Sequence, residues 1–434
     1  MRRQHLHLLL AAAAALALIG GCVYPPYDGG VDDPVEQQSV WQYLKVYSIF
    51  HERLPKTPGS MSPYDMFVAI NDSLGGGRYT EYLDDRPGGG VMFDPDTKFD
   101  DPIELAPSST VYFYLPEFSD VALEFFNANL RKLSKYPNII IDVRDNGGGL
   151  LNVTDAILGE LLPYNTQYIK NRYRRYNSGK YAGETAEDIS RTSVRRPQLL
   201  DSDRRPKKIA VLMNGYSASA SEILAAGLKD GADALLVGGK SYGKGIGQVI
   251  ITRGDGRKRL SITFLEISGL TDRTGQYHKT GIEPDPVPKP IEDDVDAHIP
   301  NAKQRAAIQS EADRAVDTLR AKYPNIADSV IQKYRKNLVI AFEKWFREPY
   351  YALKQLDPGF AFQDDGDDDG DDGDDGDING GGETAKRNMT AAVRNAKIMG
   401  GTAARIYNAR AKWRPIGAVV VDGKDLPNIE LPDD

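Results

Sequence analysis

Three short apolar runs, Asn138 to Val143, Ile209 to Met213 and Ala234 to Val237, each lead into a segment punctuated by glycine. Runs of this length suit buried strands, and the amphipathic spacing at Asp120 to Lys135, Leu151 to Leu162 and from Ser219 onward suits helices between them. Val111 to Leu115 and Gln167 to Tyr173 read as further strands, and Gln248 to Thr252 and Arg259 to Glu266 as an antiparallel pair. Strands alternating with helices predict an α/β core.

The three turns are where chemistry would be built. The first is Asp142-Val143-Arg144-Asp145-Asn146-Gly147-Gly148-Gly149. Successive glycines let a ligand approach the main chain and let N–H groups converge on an anion. The run lacks the G-x-G-x-x-G spacing of a dinucleotide loop. The second turn, Gly215-Tyr216-Ser217-Ala218-Ser219-Ala220-Ser221-Glu222, places small hydroxyl residues between a strand and a helix. Helix capping is the ordinary use of such serines. Ser219 also qualifies as a nucleophile, because the N–H of Ala220 in the first helical turn would lie beside charge forming on an attacked carbonyl. Ser217 and Ser221 compete for that role, but alternating residues of a tight segment cannot all face one point.

The third turn, Gly243-Lys244-Gly245, follows Ser219 by 25 residues at its lysine, and Gln248 lies four further on. A lysine takes a proton only when neutral, and burial among apolar residues is the usual way to depress its pKa. The Gln248 side-chain oxygen could orient the amine, as a third group orients the base of a triad. Histidine offers little competition: His5, His7, His51, His278 and His298 are all there are, and none adjoins a serine-rich turn. No His, Cys and carboxylate set has metal-ligand spacing, so neither metal nor organic cofactor is implied.

Together the three turns, with Gly281-Ile282-Glu283-Pro284-Asp285, resemble the carboxy-terminal processing, or tail-specific, serine peptidase family over residues 111 to 287. The resemblance implies a Clp-protease or crotonase-like core. It implies Ser219 as nucleophile, Lys244 as general base, Gln248 as orienting residue, and the backbone N–H groups of Gly148 and Ala220 as oxyanion hole. Tyr79-Thr80-Glu81-Tyr82-Leu83 is similar to the end of that family's amino-terminal helical part. The family's PDZ domain would follow, yet only residues 84–110 intervene before the first core strand, too few for one. The implied activity is an endopeptidase acting through an acyl-enzyme on protein or peptide substrates. Two other readings stay open: a peptide-binding module on the same fold, and, by fold analogy alone, a crotonase-type acyl-thioester enzyme.

Residues 1–21 read as a signal peptide: Arg2 and Arg3, an apolar run from Leu8 to Ile19, then Gly20-Gly21-Cys22. The run is too short to span a bilayer. Its ending resembles a bacterial lipobox, which implies lipidation of Cys22, the only cysteine, and an extracytoplasmic, membrane-anchored protein. Residues 22–34 then form a tether and 35–83 an amino-terminal helical segment, with helices at Val35 to Leu54 and Pro63 to Leu74. Residues 84–110 connect to a peptidase core at 111–290, and 291–356 form a helical region. An Asp/Gly-rich linker spans 357–383, and 384–434 hold a basic helix and a carboxy-terminal strand near Ile416 to Val421. The linker's aspartates form D-D-G units but lack the distal glutamate of an EF-hand loop. Formal net charge is −8, and Asp364 to Asp377 hold ten aspartates, so the remainder is near neutral and no basic surface argues for nucleic acid. Oligomeric state, inner or outer membrane, and substrate stay open.

Overall fold

The computed structural model describes residues 34–71, 81–83, 97, 99–175, 183–252, 259–322, 324, 327–362 and 418–421. The expected signal segment and lipidation site at residues 1–22, the Asp/Gly tract and the basic helix lie outside these residues.

Helices α1 (Pro34–Tyr47) and α2 (Pro63–Asn71), with a 3-10 turn at His51–Arg53, precede the first strands, β1 (Glu81–Leu83), β2 (Ile103–Ala106) and β3 (Thr110–Tyr114). The core continues with α3 (Asp120–Leu133), β4 (Asn138–Asp142), α4 (Leu151–Leu161), β5 (Gln167–Arg174), β6 (Thr185–Arg191), β7 (Lys208–Met213), α5 (Ala220–Ala232), β8 (Leu235–Gly238), β9 (Ile246–Thr252) and β10 (Arg259–Ser268). Three helices, α6 (Lys289–His298), α7 (Ala302–Lys322) and α8 (Asp328–Leu356), and a strand β11 (Ala418–Val421) follow.

Two sheets result. One has the order β2-β3-β4-β7-β8 and is parallel except at β2; the other has the order β11-β9-β10-β5-β6, with β1 also on β10. The second is antiparallel except that β11 runs parallel to β9. This α/β arrangement agrees with the reading from sequence.

The near-continuous hydrophobicity of the parallel strands has a direct cause. Ile139 and Ile141 of β4 join the main core with Phe126 of α3, Ile157 of α4 and Leu224 of α5. Ile140, between them, faces the other way and packs with Ala210, Leu212 and Val237 against Ala352, Leu353 and Leu356 of α8. Both faces are dry along Ile139 to Ile141, so no position of that run calls for a polar residue. Helix α3 begins where Ser119 Oγ accepts from the Ala122 N–H, and Arg131 and Lys132 sit in its last turn, where they oppose the helix dipole.

Four features differ from the sequence reading. The first helix stops at Tyr47 and gives way to the 3-10 turn, although the apolar spacing continues to Phe50. Strand β2 lies inside the stretch read as a connector and pairs with β3. Strand β6 lies between Tyr173 and Ile209, where the sequence reading named no element, and pairs with β5 as an exposed edge. Strand β9 starts at Ile246, so Gln248 lies within it rather than at its start.

Candidate active site

The parallel sheet delivers two of its turns to one place, and hydrogen bonds tie them together. Ala218 N–H and Ser221 Oγ both donate to the Asn146 carbonyl, at 3.1 and 2.8 Å. Ser217 Oγ donates to the Val143 carbonyl at 2.8 Å and accepts from the Asn214 N–H at 2.9 Å. Asn214 and Asp145 exchange a reciprocal pair of bonds, 3.1 and 3.2 Å long.

These bonds separate the three rival serines. Ser217 and Ser221 use their hydroxyls to hold the glycine turn. Ser219 Oγ is buried and has no hydrogen-bond partner. Its backbone sits at φ +58, ψ −113, a conformation that costs a non-glycine residue about 1–3 kcal/mol and persists only where the surroundings over-determine it.

What determines it is Glu222, a residue the sequence reading gave no role. Its Oε2 accepts from the Ser219 N–H at 2.9 Å and from the Lys244 N–H at 2.7 Å. Its Oε1 accepts from Ser241 Oγ and from the Gly243 N–H, both at 2.6 Å. One oxygen atom therefore stands between the main chains of Ser219 and Lys244. Burial pushes the Glu222 carboxyl upward, and the donors from Ser241, Lys244, Gly243 and Ser219 oppose the shift by favouring the charged form. A glutamate three residues after a serine at a helix start is the capping-box pattern, so a signal for Glu222 was there to be read.

Lys244 is fully buried. Loss of hydration lowers its pKa to about 7, against the pull of the Glu222 charge in the other direction. The turn that carries it is held on its far side by the Lys279 N–H donating to the Gly243 carbonyl and the Ile267 N–H donating to that of Gly245. Gly245 is required there: a Cβ would stand 2.8 Å from the Ile267 oxygen and 3.2 Å from Cε2 of Tyr277. Tyr277 is a second residue the sequence reading missed, since nothing in its local pattern marks it. Its hydroxyl is buried without a hydrogen-bond partner, and burial, then the Glu222 charge, holds it protonated.

The remaining expected residues are placed as follows. Gln248 is 5 % exposed on β9, opposite Thr263 of β10, and its Nε2 has no hydrogen-bond partner. Ala220 is buried as the first residue of α5, where an N–H has no acceptor within its helix. The Gly148 N–H, in contrast, donates to Asn146 Oδ1 at 2.8 Å, so in this structure it is not directed at a ligand. Among the described residues no cluster of three or more His, Cys, Asp or Glu could hold a metal ion.

Residues 109–287, which contain all three turns, match peptidase family S41. This segment is an S41 peptidase domain. The chain is 31% identical over 178 residues to the carboxy-terminal processing protease CtpB of Bacillus subtilis, covering 41% of this chain and 33% of that protein. It is 35% identical over 182 residues to the carboxyl-terminal-processing protease of Synechocystis, covering 41% and 38%. The chain thus spans under two fifths of these relatives. A solved structure of the photosystem II D1 C-terminal processing protease aligns at 23% identity and TM-score 0.33, covering 43% of this chain and 47% of that one.

Proposed function

We propose that the S41 domain of this chain is a serine endopeptidase using Ser219 as nucleophile and Lys244 as base. The observation that carries this reading is the pairing through Glu222: one carboxylate oxygen accepts from the main-chain N–H groups of both Ser219, a strained residue whose hydroxyl has no hydrogen-bond partner, and Lys244, whose pKa is depressed to about 7. Neutral Lys244 takes the Ser219 proton as Oγ bonds to the peptide carbonyl carbon. The ammonium then gives that proton to the leaving amine as the C–N bond breaks. Water repeats the sequence on the acyl-enzyme and releases the acid.

The Ala220 N–H and the Gly148 N–H would receive the oxyanion. The latter does so by exchanging Asn146 Oδ1 for substrate, and the 1 % exposure of Ser219 likewise requires the site to open. Gln248, whose amide has an unused donor at Nε2, orients the Lys244 amine through its oxygen. Substrates are protein or peptide chains outside the cytoplasm, and lipid on Cys22 anchors the enzyme. Among the described residues no helix is long and apolar enough to cross a membrane.

The test is hydrolysis of an unfolded protein by the full chain beside Ser219→Ala and Lys244→Ala, with folding checked by circular dichroism. Both variants should lose turnover. Wild-type cutting by Lys244→Ala would remove the lysine from the mechanism, and binding without cutting by the unaltered chain would favour a peptide-binding module. Anchoring is tested separately: Cys22→Ser should leave the membrane fraction, and continued membrane association would refute lipidation there.

A further inference from the structure

One helix outside the S41 segment reaches the scaffold of the glycine turn. Arg144, at the start of that turn, is 1 % exposed. Its Nε and Nη2 donate to the Asp142 carboxylate, at 2.9 and 2.5 Å. Its Nη1 donates to Glu348 Oε2 and to the Trp345 carbonyl, both at 2.8 Å, and the Trp345 ring lies 4.0 Å from the guanidinium carbon. Both hydrogens of Nη1 are thus taken by α8. Tyr112 completes the cluster by donating to Asp142 Oδ2 at 2.6 Å.

The fit around Glu348 is close. Gly238, at the end of β8, has room only for hydrogen: a Cβ would meet the Met213 oxygen at 2.4 Å and Glu348 Oε2 at 3.3 Å. Farther along, Lys208 Nζ donates to the Leu356 carbonyl and Ser109 Oγ to Asp357 Oδ2, so the last turns of α8 are fastened to β7 and to the loop before β3. The glycine turn is thus held from two sides: by the serine turn at Val143, Asp145 and Asn146, and by α8 through Arg144.

A buried guanidinium needs every donor satisfied, since an N–H left unpaired in a low-dielectric interior moves its main chain or admits water. We propose that Glu348 and Trp345 are positioning residues for the candidate site, holding the glycine turn in register through Arg144. The domain recognisable as S41 is therefore functionally incomplete without a helix that lies beyond it. The kinetic arm of the test rests on the peptidase reading; the exchange arm does not.

The experiment compares the full chain with Glu348→Ala, Glu348→Gln and Trp345→Leu by hydrogen–deuterium exchange and by turnover per serine reactive with a fluorophosphonate. Glu348→Ala should raise exchange selectively in peptides covering 143–149, with those covering 217–224 and 241–248 unchanged. Its kcat should fall about tenfold or more at nearly constant KM, a fraction of what losing an oxyanion donor outright costs. The acid limb of its pH profile should not move, because burial and the Glu222 charge are what set the Lys244 pKa. Glu348→Gln, which keeps an acceptor oxygen for Arg144, should recover most of the rate, and Trp345→Leu should fall between. Unchanged exchange in 143–149, a uniform rise across all peptides, or wild-type kcat in Glu348→Ala would each overturn the proposal. If the unaltered chain does not hydrolyse protein, the peptidase reading fails and the exchange pattern alone decides this one.

Discussion

As the base of the proposed reaction, buried Lys244 sets the pH dependence of turnover. With Lys244 lowered to about 7 by burial, its base form predominates above that pH and is lost below it. The rate kcat/KM should therefore rise about tenfold per unit from pH 5 to 6 and level off above 7. A profile flat across that range would show that another group takes the proton. The same shift acts on stability with a definite sign. Between about 7 and the unfolded value of 10.5 the unfolded chain holds a proton the folded chain has released, so this lysine's contribution to stability improves as pH rises. Glu222 supplies a second diagnostic. Its carboxylate accepts four donors, and a glutamine can accept only at one atom while pointing an NH2 group at the rest. Glu222→Gln should cost about 2–5 kcal/mol in denaturant unfolding and shift the acid limb lower still, since the charge that raises the Lys244 pKa is gone. An unmoved limb would mean that the Glu222 charge does not act on Lys244. At this scale the sequence was informative about residue types and poor about partners. Three serines in alternation look alike as letters; Ser217 and Ser221 are set apart from Ser219 only by carbonyls of a turn some seventy positions away, at Val143 and Asn146.

Among the elements, what was legible follows from how each one is buried. Strands β4 and β7 are covered on both faces and read as plain apolar runs. Strand β6, Thr185–Arg191, is an exposed edge with no face to bury; its charged letters look like a loop, and only pairing with β5 makes it a strand. Strand β2 is short and its register with β3 is interrupted between Glu104 and Ala106, which erases the alternation a reader would look for. The turn carrying Lys244 was legible as glycine on both sides, and the structure supplies the reason in the Ile267 and Tyr277 contacts of Gly245. Gly245→Ala must push those neighbours apart, at about 1–3 kcal/mol, and displace the lysine with them. The expected result is a fall in kcat larger than any change in KM, with Lys244 titrating nearer an ordinary lysine as water enters. Wild-type kinetics in a folded Gly245→Ala protein would show that the turn absorbs a methyl group without moving its lysine.

For the molecule as a whole, the S41 match ends at residue 287, but the physical unit does not. The parallel sheet has two faces, and the second is sealed by α8: Tyr112, Tyr114, Ile140, Ala210, Leu212 and Val237 lie under Ala352, Leu353 and Leu356. Helices α6 and α7 add a small core around Val295, Ile299, Ile308 and Phe346 that braces α8 from outside. A fragment ending at residue 290 would leave that face in water together with Arg144, whose partners on α8 would be missing. Exposed apolar surface of this extent on a sheet promotes association. Residues 34–290 should accordingly elute as aggregate and bind a hydrophobic dye, whereas 34–362 should be monodisperse with a cooperative melt. A soluble 34–290 fragment melting as sharply as the longer one would show that α8 is an ornament on a self-sufficient domain. The burial of Ile140 and Arg144 argues the reverse, because Ile140 sits in the central strand of the sheet and Arg144 in the turn that leaves it toward the site.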